Sequence, residues 1–306
     1  MMNKSSVLVV VLVLWAGGPG SHLQRRKQLP QGSNSTGKQI PGDKEGSTVT
    51  IGEIRELAAG SHSTIFESFV LIARDSKTYE ALRATNTGLP ELSAEFFETN
   101  AVVAAFLGQR RTGGYGVEIM NGQDGSLHIM EQSPPKGAMV KMVLSAPFKI
   151  VAIPADTDRS IGLRLDETWK KRLRSYRVTR GELSITGGFA GVSQIKQLEG
   201  TIEIMRTGEL ATFVFELQSR AGQETKELND AASCVVKEPG QVSLARVNSS
   251  TLSGAVQSPF QVTGEFLDEE RELRLSLQTT GAANISDNFT ASGQLTAVAT
   301  EARHEK

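Results

Sequence analysis

From Gly181 to Ala299 apolar residues return at almost every second position, which restricts this half of the chain to strands with one buried face. Leu183 and Ile185 alternate with Glu182, Ser184 and Thr186, and Ile202 and Ile204 with Thr201 and Glu203. Phe213, Phe215 and Leu217 alternate with Thr212, Val214 and Glu216, and Leu273, Leu275 and Leu277 with Glu272, Arg274 and Ser276. Reversals are legible at Arg206-Thr207-Gly208-Glu209 and at Asp268-Glu269-Glu270-Arg271. Gly181, Gly200, Gly264 and Gly293 each precede an inward apolar residue, the placement of glycines that bend small barrels and sandwiches. Residues 169–300 are therefore expected to form an antiparallel β-barrel or sandwich of about seven or eight strands.

The first half reads differently. Val102-Val103-Ala104-Ala105-Phe106-Leu107 is a continuous apolar run bounded by Gly108, which suits a strand covered on both faces. Tyr115, Val117 and Ile119 then alternate with Gly116 and Glu118, the period of a strand with one wet face. Gly113-Gly114 supplies the freedom of a tight turn, so the two runs are expected to pair as a β-hairpin. Its tip, Arg110, Arg111, Thr112, Gly113, Gly114 and Tyr115, is the candidate partner-binding site, because Arg and Tyr are favoured interface anchors. Solvated arginines on an ordinary turn are the equally weighted alternative. Further strands are expected at Phe66–Ile72, Leu127–Met130, Val140–Leu144 and Phe148–Ile153, with a short helix capped by Ser76 and buried through Tyr79 and Leu82. The fold class is thus mainly β with a small α component: an N-terminal antiparallel sheet or sandwich with one helix, then the C-terminal barrel or sandwich.

Two resemblances attach to the same turn. Phe106-Leu107-Gly108-Gln109-Arg110-Arg111-Thr112-Gly113-Gly114-Tyr115, with Pro134-Pro135-Lys136-Gly137 and Ala146-Pro147-Phe148-Lys149-Ile150-Val151-Ala152-Ile153-Pro154, resembles the C-terminal domain of the PrcB protease-complex subunit family over residues 64–155. That resemblance implies a non-catalytic, exported domain associated with a protease or another exported protein. Thr112-Gly113-Gly114-Tyr115 is also similar to a loop of chagasin-type cysteine-protease inhibitors. There the pattern departs, since Val117 stands where those inhibitors carry tryptophan and no arginine precedes Pro147-Phe148.

The termini and the composition bound the rest. Lys4 precedes the apolar run Val7–Ala16, followed by Gly17, Gly18 and Gly20, so residues 1–20 read as a signal peptide, with a retained signal anchor as the alternative. Residues 21–47 are polar and read as a disordered tether; 48–155 form the first domain, 156–168 a linker and 301–306 a tail. The chain is expected to be extracytoplasmic, periplasmic or secreted, touching a membrane only through an uncleaved N-terminal segment. A net charge of −1 gives no case for nucleic acid. The single Cys234 cannot form an intramolecular disulfide and reads as a small buried residue. His62 and His128 belong to no catalytic pattern, and Asp156 and Asp158 lack the further carboxylates of a cation loop. The basic residues around Trp169, from Lys170 to Arg180, read as a solvated face. Asn34, Asn248, Asn284 and Asn288 sit in N-x-S/T patterns.

No enzyme, cofactor or metal is therefore expected, and the leading function is an exported protein-interaction module, an accessory or stabilising subunit of a protease complex. The alternatives are a small-molecule or lipid carrier built on the C-terminal barrel, and a chagasin-like inhibitor.

Overall fold

The computed structural model describes residues 53–86, 88–122, 124–155, 160–187, 192–253, 258–279 and 289–300. The signal, tether and tail segments lie outside these, as do Asp156, Asp158, Asn34, Asn284 and Asn288. The described residues all fall within one compact unit, Ser47–Lys306, built from three sheets.

The first sheet contains β1 (Arg55–Gly60), β2 (Phe69–Ala73), β3 (Asn100–Phe106) and β6 (Phe148–Pro154), in the order β1-β6-β3-β2, all antiparallel. Residues 101–107 are completely buried, which is why so apolar a run lies in the middle of the sheet. Helix α1 (Ser76–Thr85) buries Tyr79 and Leu82 as expected, but its cap is Asp75, whose carboxylate accepts the Thr78 N–H at 2.7 Å, and the short helix α2 (Phe96–Thr99) buries Phe97. A second sheet joins β4 (Gly116–Asn121) to β5 (Leu127–Gln132), and β5 in parallel to β7 (Leu163–Leu165).

Four expectations are corrected here. The 102–119 hairpin does not form: β3 is already paired on both sides, by β2 and β6, so β4 leaves for another sheet and pairs with β5. A strand buried on both faces and a strand with one wet face belong to different layers, and the chain between them is a crossing. Residues 163–165, polar enough to read as linker, form β7 because Leu165 and the neighbouring Ile161 are buried beside β5. The apolar run Val140–Leu144 is not a strand, and Phe66 is exposed rather than the start of β2.

The third sheet bears out the period-two reading. It contains β8 (Arg174–Gly187), β9 (Val192–Thr207), β10 (Leu210–Ala221), β11 (Glu224–Val235), β12 (Gln241–Val247), β13 (Phe260–Leu267), β14 (Glu272–Thr279) and β15 (Thr290–Ala299). Their order, β11-β10-β9-β8-β15-β14-β13-β12, is antiparallel throughout. The two outer strands are consecutive in sequence and meet at a Lys237–Gln241 bridge, so the sheet is a nearly closed barrel. Phe213, Phe215, Phe260, Leu244, Leu273 and Leu277 are all buried in its core. Gly200 shows why glycine recurs: at φ +132° its ideal Cβ would lie 2.1 Å from the Glu216 carbonyl oxygen. Short helix α4 (Ser250–Ser253) lies over buried Lys196, whose Nζ donates to the carbonyls of Leu252 and Ser253 at 3.2 and 3.0 Å.

The first sheet and the barrel share a core. Met205, Leu210, Val214 and Ala231 of the barrel pack with the buried residues of the first sheet. The outer edge of β2 would expose a ladder of unpaired backbone groups. Here the Ile72 N–H donates to the Ser233 hydroxyl at 2.7 Å, and the Val70 carbonyl accepts from the Thr212 hydroxyl at 2.5 Å. Arg74 follows, 5% exposed, bonded to the Asp230 carboxylate and to the carbonyls of Ala231 and Arg246. Asp230, wholly buried, also accepts the amides of Ile161 and Asn248 at 2.7 and 2.9 Å. Trp169, in the helix α3 (Glu167–Lys170), is buried and donates its Nε1–H to the Phe106 carbonyl at 2.9 Å.

Candidate functional site

The first sheet does not end at its last ladder pair. Beyond Phe106 and Phe148, the Leu107 N–H donates to the Pro147 carbonyl at 2.9 Å. Arg110 and Ser145 exchange two backbone bonds of 2.7 and 2.9 Å, and the Gly113 N–H reaches the Lys141 carbonyl at 2.9 Å. The β3–β6 pair therefore continues as an irregular ribbon, residues 107–113 against 141–147, with three steps on one side facing four on the other. Chain from the flanking strands steadies its base: the Gln109 N–H donates to Phe66 and the Ala146 N–H to Ser61, at 3.0 and 2.8 Å. Gly108 allows the exit from β3, at φ +78° with an ideal Cβ only 2.8 Å from the Ser68 nitrogen.

The six expected site residues divide. Arg110 faces inward to the fold: its guanidinium pairs with Glu131 at 3.0 Å and lies 5.7 Å from the centre of the Tyr115 ring. Thr168 donates to the same Glu131 oxygen at 2.6 Å. Burial pushes the Glu131 carboxyl up, but the bonds from Arg110 and Thr168 outweigh it and hold the group below its ordinary value. The two presumed anchors, Arg110 and Tyr115, thus bind each other. Thr112 is half-buried, with its carbonyl accepting from the Ser145 hydroxyl at 2.9 Å, and Gly113 is tied to Lys141. Arg111 and Gly114 remain exposed.

What the sequence reading missed lies mainly on the other strand of the ribbon and in the residues just before it. Met139 is 104% exposed, Met142 82%, Leu144 57%, Val143 53% and Phe66 63%. Among the described residues these are five of the seven large apolar side chains left in solvent, and all five lie at this one end of the first sheet. Scattered exposed apolar residues need no explanation, but a cluster marks a contact surface. Along the ribbon strand itself the charge is of one sign: residues 133–149 contain Lys136, Lys141 and Lys149 and no carboxylate, while Glu67 beside Phe66 is paired with Arg172. Lys149 is paired with Glu56, while Arg111, Lys136 and Lys141 form no ion pair with a described residue. The signal that could have found the surface is the Pro134-Pro135-Lys136-Gly137 breaker directly before an apolar run that does not alternate.

With that geometry in place, the family comparison is decisive for one segment. Residues 101–154 match the PrcB C-terminal family. The matched segment runs from β3 through the ribbon to the end of β6, narrower than the 64–155 resemblance read from the motifs. Both sides of the ribbon and four of the exposed apolar residues at this end of the sheet fall within the match. No curated protein matches the chain. Among solved structures it is similar to one described as intact Ap-TbpB (N and C lobes), at 8% identity and a TM-score of 0.25. That match covers 79% of this chain and 39% of the other, and so loose a superposition carries no argument.

Elsewhere the chemistry is quiet. Among the described residues no group of three or more His, Cys, Asp and Glu side chains could hold a metal, and no helix is long and apolar enough to cross a membrane. Cys234 is buried, and that burial pushes its thiol up to about 11. His128 is a half-exposed residue of β5. Asn248 is fully buried, so its sequon is closed to modification in the folded chain.

Proposed function

We propose that the chain is an exported, non-catalytic protein-interaction module that works as an accessory subunit of a protease complex, docking through the ribbon at the end of its first sheet. The observation that carries this reading is the cluster of Met139, Met142, Val143, Leu144 and Phe66 in solvent, four of them inside the segment matching the PrcB C-terminal family. Leaving so much apolar surface wet costs solubility, and a protein partner that covers it recovers the burial at about 25 cal/mol per Å². The contact residues are those four with Arg111, Lys136 and Lys141, while Arg110 and Tyr115 hold the ribbon in shape.

Neither alternative has equal support. A carrier needs an apolar cavity; the barrel interior holds its own Phe and Leu side chains, and the hollow of about 650 Å³ on the barrel is lined by Lys237, Glu265, Arg274 and Gln294 among others. A chagasin-like inhibitor needs Tyr115 free at a loop tip, and Tyr115 lies against Arg110.

The test is co-purification from the exported fraction of the native cell, using the tagged full chain beside its Met142→Ser/Leu144→Ser variant. A protease retained by the first and lost by the second supports the reading. Equal retention moves the interface elsewhere, and retention of no protease by either chain removes the accessory role.

A further inference from the structure

The ribbon has an inner and an outer side, and beyond Ala146 the described residues use only the inner one. Arg110 and Ser145 form a doubly bonded pair, so along this segment the backbone groups alternate in direction. Those of Ser145 and the carbonyl of Lys141 point in, towards 110–113, whereas those of Ala146, Leu144 and Met142 point out. The Ala146 N–H meets Ser61 at 2.8 Å, as the last bond in the column that β1 contributes to the sheet. There the chain leaves β1 and turns back to Phe66. Beyond that point the backbone groups of Met142 and Leu144 bond to no described residue.

We infer that this outer side is a strand-docking edge, and that its occupant is an extended, acidic segment of the partner protein, lying along 140–144 where β1 leaves off. The inference rests on the proposal that this end of the sheet contacts a protein, and adds the chemistry of what it contacts. Three observations select the occupant. An open edge with exposed apolar side chains is a template for strand addition, in which main-chain bonds hold the guest and side-chain contacts choose it. The strand that carries this edge has Lys136 and Lys141, Arg111 stands on the strand behind it, and residues 133–149 hold no carboxylate, so the complementary guest carries Asp or Glu between its apolar residues. A second copy of this chain would bring the same three cations against themselves across a two-fold axis. A lipid surface fits worse: entering hydrocarbon would strip the open backbone of water and offer no partner for its N–H and C=O groups.

The test titrates the full chain with the synthetic peptide Glu-Val-Asp-Val-Glu-Leu-Asp-Val. Its controls are a version with lysine at every acidic position, a version N-methylated along one backbone edge, and vesicles of anionic lipid. The acidic peptide is expected to bind at least about tenfold more tightly than the lysine and N-methylated versions, and to slow amide exchange at Met142 and Leu144. The Lys136→Glu/Lys141→Glu chain is expected to reverse the preference. Equal binding of acidic and lysine peptides, indifference to N-methylation, no binding of any peptide, or binding to vesicles alone overturns the inference. If the Met142→Ser/Leu144→Ser chain loses its protease while the acidic peptide never binds, the interaction reading stands and strand docking falls. If that chain keeps its protease, both fall.

Discussion

Two borders of the first sheet, the outer edge of β2 and the far end of β3 and β6, would be treated alike by a sequence alone and are finished in opposite ways. Along β2, a buried edge meets the barrel, and hydroxyls of Thr212 and Ser233 take up the backbone groups of Val70 and Ile72. At the far end of β3 and β6, the ribbon places Met142, Val143 and Leu144 in solvent with their backbone unpaired by any described residue. The seam is where the fold gains its stability, because the Ile72 amide, the Val70 carbonyl and the Arg74 guanidinium, all removed from water, have partners there. The ribbon end is where stability has been forgone, and it differs from the outer edge of β1, which pairs only with β6 and is open too, in carrying a cluster of exposed large apolar side chains.

If that contrast is right, substitutions at the seam cost stability and substitutions at the ribbon do not. The largest effect belongs to Asp230→Ala, which leaves buried Arg74 without its counter-charge and strands the amides of Ile161 and Asn248. It should lower unfolding free energy by about 3–5 kcal/mol, read by urea denaturation of the full chain. Gly200→Ala, within the barrel, drives a Cβ to 2.1 Å from the Glu216 carbonyl oxygen at a backbone angle that alanine resists. The same measurement should show a loss of about 1–3 kcal/mol. Glu131→Gln, at the root of the ribbon, should cost about 1 kcal/mol at neutral pH through weaker bonds to Arg110 and Thr168. Because the folded carboxyl sits below its ordinary value, its contribution is complete above the usual carboxylate range and disappears as pH falls through the depressed value. The acid limb of the stability curve should therefore be flatter in the Gln variant. Smallest of all, Met142→Ser/Leu144→Ser should leave stability within about 0.5 kcal/mol, since both side chains are already in water. A loss of several kcal/mol there would mean that the ribbon is a hidden part of the core.

How much of this could be read from the residues follows the same division. The barrel was legible because Leu183, Phe213, Leu273 and their neighbours keep a strict period of two, and because the four glycines stand where cross-strand backbone comes within 2.0–2.6 Å of an ideal Cβ. The family of residues 101–154 was legible from its Gly108 and Thr112–Tyr115 signature. The turn at 110–115 adjoins the surface proposed here, but its side chains are engaged otherwise than its composition suggests. Arg110 and Tyr115 are the residue types of an interface, yet Glu131 and Thr168, distant in sequence, draw Arg110 into the fold. The run Met139–Leu144 reads as a buried strand because hydrophobicity reports what a residue favours, and not whether the fold provides a cover for it. No local pattern shows that β1 departs at Ser61 and leaves those residues without a neighbour. The pairing of β4 with β5 rather than β3 was hidden for the same reason, because it depends on strands contributed from elsewhere in the chain.

The central claim, one sheet with a sealed edge and an open end, is tested most directly by residue-resolved amide hydrogen exchange on the full chain alone. The account predicts that the amides of Met142 and Leu144 exchange at nearly the rate of an unfolded peptide. Those of Val70, Leu71 and Ile72 should exchange only through global opening. Protection at Met142 and Leu144 comparable to that at Ile72 would mean that the outer side of the ribbon is already paired, and would contradict the assignment of this end as a docking surface.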